Sequence, residues 1–209
     1  MLSLVDKRGT VTFWKIGLFG ILFLLLTGCS QQYEFSGTLL DDPQPAAEIV
    51  GTNYDGSTFR LSDQRGKIVL IFFGYTFCPD VCPLTLAEMK SVYQNLRGGE
   101  AEKLEFVFVS VDPERDTLER LSQYIPSFHS DFYGVRVEED ALEALKKEYW
   151  LSAERSEQGT GDHSKHYTIM HNSSIYVIDR KGNLRGLLDD YLVGAEKLLS
   201  DIRYLLQEK

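Results

Sequence analysis

Ile68-Val69-Leu70-Ile71-Phe72-Phe73-Gly74-Tyr75-Thr76-Phe77-Cys78-Pro79-Asp80-Val81-Cys82-Pro83 decides how this chain is read. Residues 68–73 form an unbroken apolar run, which suits a strand buried on both faces of a sheet. Gly74 to Phe77 lead out of it to two cysteines. Pro83 suits the first turn of a helix, because its missing N–H is one that a helix start leaves unpaired in any case. Leu86, Met89, Tyr93 and Leu96 then recur as a single helical stripe. The stretch is a buried strand handing over to a helix, with the cysteines at the turn.

The same reading extends outward. Gly98-Gly99 stops the helix, and residues 104–111 are a second apolar strand that Asp112-Pro113 ends. Asp116-Thr117 can cap a helix reaching about Ile125, and helical spacing returns at Leu142, Leu145 and Tyr149. Residues 152–165 are polar without an apolar period and read as an exposed loop. Ser174 to Ile178 form a strand, Asp179 to Asn183 a turn, and Leu184 opens the hairpin partner. Leu198, Leu199, Ile202, Leu205 and Leu206 mark a closing amphipathic helix. Upstream, residues 30–48 read as a polar tether with a strand candidate around Phe35 to Leu40, and Tyr54-Asp55-Gly56-Ser57 is a turn between two short β-prone runs. The order β-α-β-α, β-hairpin, helix predicts an α/β, thioredoxin-like fold: a central mixed sheet flanked by helices, with an N-terminal strand or hairpin extension.

The chain has 209 residues, 43% hydrophobic and 25% charged, values of an ordinary globular protein that exclude wholesale disorder, collagen and coiled coil. Its net charge of −9 leaves no footprint for nucleic acid. Three cysteines are too few for a disulfide-rich scaffold. Lys7, Arg8 and Lys15 precede an apolar run of 11 residues from Ile16 to Leu26, short of the roughly 20 that a bilayer span needs. It ends in Leu26-Thr27-Gly28-Cys29, which resembles a bacterial lipobox with Cys29 as the lipidated first mature residue. The expected organisation is a lipoprotein signal peptide over 1–28, a membrane tether over 29–45 and a folded domain over 46–209. An uncleaved anchor helix is the alternative. Both place the domain in the cell envelope, extracytoplasmic and held to a membrane. Without residues 1–28 the charge falls to about −11, so the surface itself does not attract anionic lipid.

Cys78 and Cys82 form a CxxxC at the start of a helix, where free N–H donors and partial positive charge favour thiolate, while Asp80 opposes it. Residues four apart on a helix lie on one face, about 5–6 Å apart at Cβ. Two such sulfurs can converge on one metal ion, or form a disulfide after modest adjustment. A third ligand is sought among four histidines. His129 reads as a surface or capping residue, and His163 and His166 as solvated loop residues. His171 stands at the mouth of the hairpin, which in this topology packs near the first helix start, and is the ligand candidate. Two thiolates suit Cu(I), and the imidazole adds Cu(II); zinc accepts the set but normally wants a fourth ligand.

These residues resemble the Sco/SenC family, thioredoxin-like copper chaperones of cytochrome c oxidase assembly. The likeness rests on Gly74 to Pro83, on Val109-Ser110-Val111-Asp112-Pro113-Glu114-Arg115-Asp116-Thr117, and on Tyr167-Thr168-Ile169-Met170-His171, and covers about residues 46–208. It implies copper ligation by Cys78, Cys82 and His171. It also implies a destination, the dinuclear copper site of oxidase subunit II, with copper delivery and reduction of the receiving cysteines both open. The copper donor and the thiol reductant are not visible in the sequence. Leu118 stands where a proline is common, and Phe77 where a polar residue often sits, a place to alter partner docking. The competing reading is a thioredoxin-like thiol–disulfide reductase acting on exported protein cysteines. It needs the cysteines but not His171, and the extra residue between the thiols weakens it. A peroxidase lacks a visible peroxidatic environment, and a purely structural lipoprotein would tolerate loss of both thiols.

Overall fold

The computed structural model describes residues 33–157, 167–188 and 194–208. Backbone contacts divide the chain between Glu34 and Phe35, and the described elements fall in the unit that begins at Phe35. Cys29, the apolar run before it, His163 and His166 lie outside the described residues. Among the described residues no helix is long and apolar enough to cross a membrane.

Strand β4 (Ile68–Gly74) is buried along its whole length, which its unbroken apolar sequence requires. It pairs in parallel with β5 (Leu104–Ser110), from Ile68 opposite Leu104 to Gly74 opposite Ser110. On its other side it pairs antiparallel with β9 (Ile175–Ile178). Beyond β9 lie β10 (Asn183–Leu188) and then β1 (Thr38–Pro45). Beyond β5 lie β6 (Tyr133–Arg136), β2 (Val50–Asn53) and β3 (Thr58–Arg60), so the order is β1-β10-β9-β4-β5-β6-β2-β3. Only β4–β5 and β5–β6 are parallel among these pairs, and the sheet is mixed. The strands β7 (Ala153–Glu157) and β8 (Tyr167–His171) form a separate two-stranded antiparallel sheet.

Helix α1 (Val81–Asn95) buries Cys82, Leu86, Met89 and Tyr93 and packs against α4 (Gly194–Gln207). Pro83 lies in its first turn, where the backbone N–H has no partner within the helix. The short helix α2 (Leu118–Tyr124) is capped by Thr117, whose hydroxyl accepts from the Arg120 N–H at 3.1 Å, a contact worth about 1 kcal/mol. Helix α3 (Glu139–Glu148) turns Leu142 and Leu145 inward. The arrangement is the thioredoxin-like one read from the sequence, with β1 and the β2–β3 hairpin as its N-terminal additions.

Four local features differ from the sequence reading. Residues 38–45, where the sequence reads as a strand candidate ending near Leu40 and tether beyond it, are the edge strand β1, and its prolines fit an edge because neither need donate to a ladder. Residues 153–157, placed in an exposed loop, are β7. Their polar side chains carry no apolar alternation, and the strand is held by its ladder to β8 rather than by core burial. Strand β6 gave no signal, being short and interrupted by Gly134, where a Cβ would come within 2.7 Å of the Ile125 side chain. His171 is the last residue of β8 rather than a residue leading into the strand after it.

Leu70 is fully buried at the centre of the sheet. Leu70→Ala should therefore cost about 2–5 kcal/mol, read as a lower urea midpoint at unchanged slope. An unchanged midpoint would contradict β4 as the central strand.

Candidate metal centre

The end of β4, the first turn of α1 and the end of β8 converge. Cys78, in the loop between β4 and α1, Cys82, in the first turn of α1, and His171, at the end of β8, place two sulfurs and one imidazole nitrogen within 4.8 Å of one another. The Cys82 Sγ lies 3.5 Å from the His171 Nε2. Two ligands about 2.3 Å from a common ion lie at most about 4.6 Å apart, so the three atoms are near the spacing at which they could share one ion. The imidazole is oriented from behind. Its Nδ1 lies 2.9 Å from the carbonyl oxygen of Asn172. A carbonyl only accepts, so Nδ1 carries the proton in that contact, and Nε2 is the ring atom that faces the sulfurs. The Phe72 and Tyr75 rings meet the imidazole edge-on, at centroid distances of 6.0 Å and 5.8 Å.

The two thiols are unequal. Both are free, Cys82 buried and Cys78 half-buried. The Cys78 sulfur accepts the backbone N–H of Cys82 at 3.5 Å, a donor of the helix start. Hydrogen bonding from the Cys82 thiol, then from His171 and the Cys82 and Asp80 backbone, pulls Cys78 well below the ordinary thiol range against the opposing effect of burial. The same contact and burial push Cys82 upward. The proton of the pair is therefore held on Cys82, and the outer sulfur has the greater thiolate character. Gly74 makes room for the inner one: a Cβ there would stand 3.0 Å from the Cys82 Sγ, 2.7 Å from the Phe108 ring and 2.9 Å from the Phe72 ring.

The loop that carries the thiols is anchored by residues that sequence reading did not assign to the site. The Asp116 carboxylate accepts from the Thr76 N–H at 3.1 Å, the Thr76 hydroxyl at 2.6 Å and the Ser110 hydroxyl at 2.7 Å. Burial pushes its carboxyl upward, and these donors hold it back. Arg120 donates from Nε to the Thr76 hydroxyl at 3.1 Å. Phe77 is 49% exposed, with the guanidinium carbons of Arg115 and Arg120 at 4.9 Å and 5.0 Å from its ring. Sequence spacing marked Asp116 only as a helix cap, a task that Thr117 performs alone while Asp116 turns inward. His129 lies away from the thiols. It stacks on Phe132, and its Nδ1 accepts the Asp131 N–H at 3.2 Å.

The chain is similar to known proteins along most of its length. The SCO1/SenC family model matches residues 43–207. An SCO2-like protein of Rickettsia prowazekii is 33% identical over 135 residues, which are 65% of this chain and 63% of that one. Apo Sco1 from Thermus thermophilus superposes with a TM-score of 0.73 at 32% identity, covering 84% of this chain and 99% of that one. Bradyrhizobium japonicum ScoI, solved with copper bound, superposes with a TM-score of 0.68 at 31% identity, covering 77% and 99%.

Only a thiolate is alkylated, so labelling of Cys78 by iodoacetamide should keep its rate as pH falls below the ordinary thiol range and decline only in acid. Cys82→Ala removes the first cause of the shift and should move the labelling midpoint up toward about 8.5. Peptide-level mass spectrometry reads both. A wild-type midpoint already at the ordinary value would contradict the inequality of the two sulfurs.

Proposed function

The chain belongs to the SCO1/SenC family, and from that membership and the site we propose that it is an extracytoplasmic copper-binding protein of cytochrome c oxidase assembly. It delivers copper to the dinuclear site of subunit II, or reduces the cysteines that receive it. One observation carries the reading: Cys78 in a loop, Cys82 in α1 and His171 in β8 present their ligating atoms within 4.8 Å of one another. Two sulfurs and one imidazole form a soft, low-number donor set that fits Cu(I) on the sulfurs and Cu(II) when the nitrogen joins. The copper-bound state of the Bradyrhizobium japonicum relative is consistent with it. Copper is cargo here, so an incomplete set open to a second protein suits release better than a closed four-ligand cage.

The chain's own residues have distinct tasks. Cys78, lowered in pKa and partly exposed, offers the first sulfur to an incoming ion or thiol. Cys82 supplies the second from the helix interior side, and His171 fixes the oxidised form. The thiol inequality also favours the second reading, a thiol–disulfide reductase for exported cysteines, in which Cys78 attacks and Cys82 resolves. The lipid anchor at Cys29 places either activity at the membrane face of the envelope.

The purified reduced domain should take up one copper per chain and show sulfur-to-metal charge-transfer colour as Cu(II); a colourless wild type would remove the copper reading. His171→Ala should weaken Cu(II) binding by at least the 10–100-fold typical of losing even a ligand's supporting partner. In cells, oxidase assembly that survives His171→Ala but not Cys78→Ala would favour the reductase. Separately, Cys29→Ser should release the protein from membranes on fractionation, and retention would point to an uncleaved anchor.

A further inference from the structure

His171 does not belong to the sheet that carries the thiols. It ends β8, one of two strands in a ladder of their own. Something must therefore hold that ladder so that the imidazole meets the sulfurs. We propose that Arg115 is the positioning residue that does so, gripping the β7–β8 hairpin with one side of its guanidinium and the thiol-bearing loop with the other. The inference rests on the copper reading and concerns how the third ligand is kept in place.

Arg115 donates from Nη1 to the backbone carbonyl of Tyr167, the first residue of β8, at 2.9 Å. Its guanidinium carbon lies 3.5 Å from the centre of the Tyr167 ring. Nε donates to Asp112 at 2.5 Å, and the Tyr167 hydroxyl donates to the other oxygen of the same carboxylate at 2.6 Å. Arginine, tyrosine and aspartate thus close a ring around the start of β8. The same guanidinium lies 4.9 Å from the Phe77 ring, next to Cys78, and 5.7 Å from the Tyr75 ring. Tyr75 in turn accepts the Ile169 N–H at 3.1 Å, so the dithiol loop and β8 meet a second time in the same place.

Two ion pairs involve the segment 112–115, one reaching across to the hairpin and one within the segment itself, and they are not equal. Arg155–Glu114 is half exposed at both ends, and water screens it. Arg115–Asp112 has side-chain exposures of 12% and 0%. A pair desolvated to that degree cannot lose its cation without leaving a buried carboxylate unpaired. The planar fork also matters: only a guanidinium donates in one plane to a carboxylate and a carbonyl while stacking on an aromatic face.

The test variant is Arg115→Lys, which keeps a cation for Asp112 but not the fork or the stack. In the metal-free protein, NMR should show the contacts between the His171 ring and the Tyr75 and Phe72 rings weakened, with the sheet resonances unchanged. Cu(II) affinity should fall on the order of tenfold, while Cu(I) affinity, carried by the sulfurs, stays at the wild-type value. In a His171→Ala background the same substitution should cost no further Cu(II) affinity. Tyr167→Leu, which leaves the Arg115–Asp112 pair intact, should reproduce the ring-contact loss. Wild-type ring contacts in Arg115→Lys, or an equal Cu(II) loss with and without His171, overturns the assignment. A wild type that takes up no copper sinks the copper reading alone, and the metal-free ring contacts then decide the role of Arg115.

Discussion

Asp116 has no exposed surface, yet it ends in a carboxylate. Such a group is costly to bury unless donors replace water, and here they do: the Thr76 N–H, the Thr76 hydroxyl and the Ser110 hydroxyl all point at it. Thr76 follows the end of β4, Ser110 ends β5, and Asp116 lies just ahead of α2. One side chain thereby closes the carboxyl end of the parallel strand pair. The thiol loop begins at that closure, so the sulfurs inherit the rigidity of the sheet. The rest of the site, from the space left by Gly74 to the helix N–H groups around Cys78, is arranged relative to this fixed corner.

The elements that were legible in the sequence are those where one physical signal dominates. β4 and β5 are continuous apolar runs, and α1 and α4 carry clean stripes, so burial alone announces them. The thiol pair was legible because two cysteines four apart stand where a buried strand hands over to a helix. His171 was legible because a dithiol lacks a nitrogen partner. β7 was hidden, since its own residues are mostly polar and its backbone ladder to β8 leaves no mark in their hydropathy. The Asp112–Arg115–Tyr167 ring was hidden for a different reason. Its members are charged or amphipathic side chains, Tyr167 stands 52 residues after Arg115, and nothing in spacing tells a buried ion pair from a solvated one.

The site is consequently built from two kinds of support. The sulfurs stand on the sheet and its first helix, while the imidazole arrives on a hairpin attached from outside. This division matches the chemistry of a soft cation with two oxidation states. The sulfur pair is common to both states, and the nitrogen is needed chiefly by one. A ligand needed part of the time is the one carried by the smaller, separately laddered element.

The difference in burial between the two sulfurs has a further effect. A visitor approaching from solvent touches the atom at position 78 first, because the one at 82 is roofed by its own helix and by the strand beneath. Any exchange with a second protein is therefore an encounter with a fixed order of arrival. The outer sulfur is the one a newcomer would meet, with the inner one behind it. The fold thus gives the two sulfurs an order of access that two equivalent thiols would lack.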